Sequence, residues 1–94
     1  MKTGMVALHY PHIAHREDFL SRVRRVAEVF RSTAGCLSAD YWVTVAGDVV
    51  VSIVQWESEA ASAASLAAVQ AADVDIDFDE RESRPREILR LVSA

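Results

Sequence analysis

The sequence predicts an α+β fold whose elements follow the order strand, helix, strand, strand, helix, strand. Residues 47–58 give the first indication, because a glycine turn there precedes the run VVVSIV, which is mostly apolar on both faces of a strand. Residues 15–34 give the second, since apolar side chains recur there at helical spacing. An alanine-rich stretch after Ser58 and an apolar run near the end of the chain complete the order.

Length and composition predict one cytoplasmic domain spanning residues 1–94. The chain is 51% hydrophobic and 26% charged, which is enough to form a core inside a polar surface. Its net charge of −4 is dispersed, which argues against a nucleic-acid or membrane partner. A single cysteine, Cys36, fits a reducing compartment. Neither a signal-peptide pattern nor an apolar run of membrane-spanning length is visible in the sequence.

The first strand and the first helix are predicted from a change of period. Residues 4–10 form a short apolar run bounded by Gly4 and Pro11, and proline ends a strand because it has no N–H for the ladder. The helix is predicted over residues 15–34, with Gly35 as its stop. Its apolar stripe comprises Phe19, Leu20, Val23, Val26, Ala27 and Phe30.

The second half of the chain adds a hairpin, a helix and a last strand. Residues 36–45 and 49–56 are the predicted hairpin strands around the turn at Gly47. In the second of these strands, alternate residues from Val50 to Trp56 should share one face, with Gln55 on the other. Ser58 is the predicted N-cap of a helix that runs to about residue 72. Residues 73–80 are interpreted as a solvated linker, and residues 85–93 as the last strand.

This order is typical of a ferredoxin-like βαββαβ fold, a four-stranded antiparallel sheet with two helices on one face. We expect the first and third strands at its centre, parallel to each other. The face without helices would then expose a large apolar surface, which soluble monomers avoid. Because a second copy could cover that face, the sequence predicts a homodimer.

Several segments together resemble the antibiotic biosynthesis monooxygenase superfamily. They are the strand opening GCLSADYW at residues 35–42, the turn at Gly47, the strand end QWES at residues 55–58 and the alanine-rich helix after it. The resemblance implies a dimeric α+β barrel over nearly the whole chain. It also implies, by analogy with some members, a monooxygenase that oxidises aromatic or polyketide-like molecules without a cofactor.

The same resemblance argues against haem chemistry. Haem-degrading members use a histidine on the second helix and an asparagine on the first strand, whereas this chain has no histidine after His15 and no asparagine. The quinone-forming members also use an asparagine, so only Trp56 matches a functional position of the family. We therefore expect no cofactor.

His9 and Trp56 are the predicted catalytic residues. If the first and third strands were parallel neighbours, both side chains would lie at the mouth of one cavity between sheet and helices. An imidazole with a pKa near ~6.5 could remove a proton from a phenol or an activated methylene. The resulting carbanion could then react with O₂. The alternative is that His9 is a strand-end histidine without a function and that Trp56 is a core residue.

The predicted substrate-binding residues are Tyr10, His12, Ala64 and Ala68. The alanines of the second helix either let it approach the sheet closely or leave room for a flat ligand. The three-residue spacing of His9, His12 and His15 could indicate a metal site, but it crosses a strand end and Pro11, so no metal is predicted.

Two functions therefore remain open. One is a dimeric monooxygenase for an aromatic or polyketide-like substrate, and the other is a non-catalytic dimeric domain that binds a small molecule or stabilises a partner. A cavity of roughly 300 Å³ or more with His9 in its wall would favour the enzyme.

Overall fold

The structure is a computed structural model that describes all 94 residues. It contains the predicted element order, with a short 3-10 turn, Ile13–His15, before the first helix. The strands and helices are β1 (Thr3–His9), α1 (Arg16–Arg31), β2 (Cys36–Val43), β3 (Val50–Trp56), α2 (Glu59–Ala71) and β4 (Glu87–Val92).

The four strands form one antiparallel sheet in the order β2-β3-β1-β4. The ferredoxin-like arrangement is therefore confirmed, with β1 and β3 at the centre. The expectation that β1 and β3 run parallel is wrong, because the two strands pair antiparallel. The reason is that α1 returns the chain so that β2 runs in the same direction as β1, and the hairpin then reverses β3.

The strand β3 separates the core from the open face of the sheet. Its helix-facing side chains Val50, Val54 and Trp56 are 0%, 2% and 0% exposed. On the other face Ile53 and Gln55 are exposed. The alternation read from the sequence is therefore present, with the core between the sheet and the two helices.

Both helices have their predicted local signals. The Ser58 hydroxyl caps α2 by accepting the backbone N–H of Ala61 at 3.1 Å. After α1, Gly35 adopts a φ of +85°, and a Cβ there would lie only 2.6 Å from the Cβ of Ala61. Only glycine fits this turn, since it needs both the left-handed backbone and the missing side chain.

The open face of the sheet carries large apolar side chains that no element covers. A single cross-strand row places Ile53 beside Val6 and Val6 beside Leu89. Ile53, Leu89, Leu91 and Trp42 are all exposed, and every residue of β4 is exposed. Neither helix has the length and apolar character needed to cross a membrane.

Candidate active site

A small apolar cavity lies between the sheet and the helices, and His9, at the end of β1, is part of its wall. Its volume is about 140 Å³, and ten of its fourteen lining residues are hydrophobic. β1 contributes Met5 and Ala7, and α1 contributes Phe19 and Val23. The polar lining residues are His9, Arg22, Ser52 and Arg86.

His9 is held by a buried carboxylate. Its Nδ1 lies 3.3 Å from Oε1 of Glu82, whose side chain is completely buried, and its ring packs against Phe19 at a centroid distance of 5.2 Å. An Nδ1–H that donates to Glu82 leaves Nε2 with its lone pair, as a base requires. Burial, and then the positive charge of Arg86, lower the pKa of His9 below its ordinary value of 6.5. The imidazole is therefore neutral at pH 7.

Two arginines complete a charged cluster around Glu82. Oε2 of Glu82 accepts a hydrogen bond from Nη2 of Arg86 and lies 4.0 Å from Nη2 of Arg22. The Arg22 guanidinium stacks over the ring of Phe19, 4.4 Å from its centroid. Burial, and then the charge of Arg81, lower the pKa of Arg22. The Arg22 side chain is only 9% exposed, so this cation lies almost inside the core.

The backbone brings Glu82 to His9 by extending the sheet past the end of β1. Pro11 and Glu82 form an isolated β-bridge, flanked by hydrogen bonds from the N–H of His12 to the carbonyl of Arg81 (2.9 Å) and from the N–H of Ser83 to the carbonyl of Tyr10 (2.7 Å). The contact joins residues 73 positions apart in the chain. Residues just after the segment predicted to be a solvated linker therefore bring a buried carboxylate to His9.

The same arginines hold the α2–β4 connection against the cavity, where Ile76 is one of the lining residues. Nη1 of Arg22 donates to the Asp77 carbonyl at 3.1 Å, and Nη1 of Arg86 donates to the Ile76 carbonyl at 2.8 Å. One polar atom has no partner: Nε of Arg86 is buried and makes no hydrogen bond.

Trp56 lies at the other end of the sheet from His9. In the β1–β3 ladder His9 pairs with Val50, whereas Trp56 pairs with Thr3. The expectation that His9 and Trp56 share one cavity mouth is wrong, because it depended on parallel strands. The indole Nε1 donates to the Ser65 hydroxyl at 2.8 Å, and the indole packs edge-on against Phe30. An open cleft of about 360 Å³ between α2 and β4 touches Trp56, and His9 does not line it.

None of the four predicted substrate-binding residues lines the His9 cavity. Tyr10 donates its hydroxyl to Glu87 at 2.9 Å and lies under the guanidinium of Arg84. His12 and Ala64 are exposed and Ala68 is half-buried. The buried face of α2 consists instead of Ala61, Ser62, Ser65 and Val69. No group of three or more His, Cys, Asp or Glu side chains is placed to hold a metal ion.

The sequence interpretation missed Glu82, Arg22 and Arg86. A signal was present for Arg22, which stands three residues after Phe19 and four before Val26 and therefore lies on the apolar stripe of α1. No comparable signal marks Glu82, which lies outside every predicted element. Arg86 lies at the start of the predicted last strand, on the same face as Ile88 and Arg90, and nothing in that pattern distinguishes it from a solvent-exposed arginine. The cavity volume of about 140 Å³ is also smaller than the roughly 300 Å³ that would favour an enzyme.

Comparisons with known proteins agree with this fold. The family model for antibiotic biosynthesis monooxygenases matches residues 4–73. No curated protein matches the sequence. Among solved structures, Rv0793 from Mycobacterium tuberculosis has a TM-score of 0.79 at 19% identity, covering 100% of this chain and 96% of that one. A conserved protein from Methanosarcina mazei Go1 has a TM-score of 0.84 at 12% identity, with 97% and 91% covered.

A third similar structure has a chemical description. It is the N63A mutant of SnoaB, a cofactor-independent oxygenase from Streptomyces nogalater, with a TM-score of 0.74 at 17% identity, covering 98% of this chain and 92% of that one. At these identities the structural likeness concerns the fold, whereas the family model spans most of the sequence. The chain therefore belongs to the antibiotic biosynthesis monooxygenase family.

Proposed function

We propose that the protein is a cofactor-independent monooxygenase that oxidises an activated methylene of a small aromatic molecule, with His9 as the general base. The observation that carries this proposal is that His9, in the wall of an apolar cavity, is paired through Nδ1 with the buried carboxylate of Glu82. A base whose other ring nitrogen is fixed by a carboxylate is the arrangement that proton abstraction requires. Family membership and the cofactor-independent oxygenase among similar structures support the same reaction class.

The reaction needs only the substrate, O₂ and a base. His9 Nε2 removes a proton from the CH₂ group, and the carbanion transfers an electron to O₂. The carbon radical and superoxide recombine, and protonation gives a hydroperoxide. Loss of water from that hydroperoxide forms the carbonyl, so that R₂CH₂ and O₂ become R₂C=O and H₂O. The protein supplies the base, an apolar cavity and an orientation for the substrate.

The cavity volume supports a smaller substrate than a polycyclic polyketide. A cavity of about 150 Å³ is known to hold benzene, so about 140 Å³ suits one aromatic ring. Larger substrates would require the α2–β4 connection to move away from the sheet. We therefore propose a single-ring or fused two-ring substrate, still within the aromatic class expected from the sequence.

The open face of the sheet supports a homodimer as part of this proposal. Val6, Ile53 and Leu89 form a continuous apolar row there, and Trp42 stands 63% exposed at its edge. Face-to-face packing of two copies would bury these side chains. We expect Ile53→Asp to shift the protein from dimer to monomer in sedimentation analysis. Ala67→Asp adds the same charge on the exposed side of α2 and should leave the dimer unchanged. A monomeric wild type at micromolar concentration would contradict the dimer.

The competing function is a non-catalytic dimer that binds a small molecule. The small cavity favours this alternative, because it leaves little room for a substrate beside the base. The two functions differ in one respect: a binding domain needs the cavity but does not need a basic nitrogen at His9.

Oxygen uptake tests the catalytic function directly. We would supply benzofuran-2-one, which carries an activated methylene on one fused ring, and anthrone as the larger alternative. Oxygen consumption by wild type, with a strong loss in His9→Gln and Glu82→Gln, is the expected result. His15→Gln is the matched control, because His15 is exposed and outside the cavity. Equal rates in wild type and His9→Gln would refute the proposal.

A further inference from the structure

The cavity beside His9 and the open cleft that touches Trp56 adjoin each other. Leu66, on α2, is the one residue that lines both of them. Its side chain is half-buried and packs against the apolar core. A leucine that is not enclosed on all sides can exchange between staggered conformers on a fast timescale. Leu66 therefore stands between the two spaces as a side chain that can move.

The sheet also continues from one space into the other. On the helix-facing side of β1, Thr3 lines the cleft, and the next two residues on that side, Met5 and Ala7, line the cavity. On β4, Arg90 lines the cleft and Ile88 lines the cavity. Met5 and Arg90 are cross-strand partners in the β1–β4 ladder. Cleft and cavity are therefore consecutive stretches of one groove that follows this strand pair.

The two spaces differ in size and in lining. The cavity holds about 140 Å³, which suits one aromatic ring, and its wall is mostly apolar. The cleft holds about 360 Å³, and five of its ten lining residues are hydrophobic. Pockets that bind small molecules usually measure about 300–1,000 Å³, a range that the cavity alone does not reach and that the joined groove does. A ligand with one end in each space would therefore occupy a site of ordinary size.

We propose that the cleft is the outer half of the ligand site, and that the ligand is an aromatic ring that carries a flexible alkyl or acyl chain. The ring lies in the cavity beside His9, and the chain passes Leu66 into the cleft, where it lies against Ala63 and Trp56. A chain suits this boundary better than a further fused ring, because it is narrow and can bend around one side chain. The inference rests on the proposed function in that the ring occupies the same cavity.

Binding of two phenyl ketones under nitrogen tests the outer site without any oxygenation step. Acetophenone carries a methyl group on its carbonyl, and heptanophenone carries a six-carbon chain on the same ring and carbonyl. In equilibrium dialysis the wild type should bind heptanophenone about tenfold to a hundredfold more tightly, since an open cleft removes the additional methylene groups only partly from water.

A substitution in the cleft shows where the chain lies. Ala63 is exposed and lines the cleft but not the cavity. Ala63→Phe should therefore remove most of the gain for heptanophenone and leave the binding of acetophenone unchanged. Ala60→Phe is the matched control, because Ala60 is exposed on the same helix and lines neither space. Both ketones should bind this control as they bind the wild type.

A second substitution tests the boundary itself. Leu66→Ala removes most of the side chain that separates the two spaces, so the rigid two-ring ketone 4-phenylacetophenone should bind it about tenfold more tightly than it binds the wild type. Acetophenone, which needs only the cavity, should change much less. The test in the cleft does not depend on the folding of Leu66→Ala, because Ala63 is an exposed residue.

Four results would overturn the outer site. They are equal affinity of the wild type for acetophenone and heptanophenone, a gain that persists in Ala63→Phe, an equal loss of that gain in Ala60→Phe, and no improvement for 4-phenylacetophenone in folded Leu66→Ala. Failure of the proposed reaction gives a different pattern. Chain-dependent binding without oxygen uptake would retain the outer site and reject the monooxygenase, whereas oxygen uptake with benzofuran-2-one and no gain from the chain would do the reverse.

Discussion

The two ends of the helix-covered sheet face differ in how their buried polar groups are hydrogen-bonded. At one end the indole N–H of Trp56 donates to the Ser65 hydroxyl, which is hydrogen-bonded to the Thr33 hydroxyl. Thr33 in turn donates to the Phe30 carbonyl. At the other end His9 and its charged neighbours surround a cavity, and Nε of Arg86 stays unpaired. A closed polar network stabilises a core, whereas an incomplete one beside a cavity is typical of a binding site.

The largest expected effect tests the closed end. Trp56→Ala removes a side chain that is 0% exposed and should cost about 4 kcal/mol in the free energy of unfolding, because it combines lost burial with a cavity. Urea denaturation followed by circular dichroism measures it. Trp42→Ala is the control, since Trp42 lies on the open face at 63% exposure and its removal should cost far less. Similar losses for the two variants would mean that Trp56 does not anchor the core.

The next effect concerns the charged end. Glu82→Ala leaves the Arg22 and Arg86 cations without their buried partner and should lower the free energy of unfolding by about 3 kcal/mol. This is at the lower end of the range for a buried pair, because the Arg86 side chain is 19% exposed. Glu87→Ala is the control, as Glu87 is exposed. If Glu82→Ala were as stable as wild type, the carboxylate would not be needed to hold the two cations. The charged cluster would then not contribute to the stability of this end of the sheet.

A smaller effect separates hydrogen bonding from packing at the closed end. Ser65→Ala keeps most of the side-chain volume but leaves the indole N–H of Trp56 without an acceptor, which should cost about 1–2 kcal/mol. Ser62→Ala, three residues earlier on the same buried face of α2, is the control. The Ser62 hydroxyl donates only to the Glu59 carbonyl of its own helix. Oxygen uptake should not change in Ser65→Ala, since Ser65 is not one of the residues that line the cavity. A loss of activity without a loss of stability would mean that the Trp56–Ser65 hydrogen bond takes part in the function of the cavity.

The smallest expected effect is a pH dependence at the charged end. Because the folded protein lowers the pKa of His9 below 6.5, unfolding lets that imidazole bind a proton more readily. His9 therefore contributes stability that is complete above pH 6.5 and is lost as the pH falls through its folded pKa. Wild type should lose more stability between pH 7 and pH 5 than His9→Gln does, measured as the shift of the urea midpoint. The exposed His12 and His15 are common to both proteins, so an equal loss would contradict the lowered pKa.

Much of the fold could be predicted because its signals are local. The apolar run that became β3, the cap at Ser58 and the stop at Gly35 each depend on neighbours within a few residues, and all three are present in the structure. The strand direction was predicted wrongly even so. The two β-α-β crossovers and the hairpin together set it, and no single segment records that combination.

The candidate site was less predictable. His9 was identified by its residue type and its position at a strand end, and it does line a cavity. Trp56 was placed in the same cavity only through the assumed strand direction, and its predicted catalytic role stays a prediction. The roles of Tyr10, His12, Ala64 and Ala68 also stay predictions, although none of these residues contributes to the wall of the His9 cavity.

By itself the sequence determined which faces of the strands and helices are apolar, because side-chain period is a property of the local backbone. It thereby determined the βαββαβ order and the uncovered face of the sheet. Only the tertiary structure decided that Glu82 contacts His9, 73 positions away in the chain. It also decided that the Arg22 side chain points inward and pairs with Glu82. The physical reason is that a buried charge is tolerated only where distant parts of the chain bring it a partner, and periodicity carries no information about distant partners.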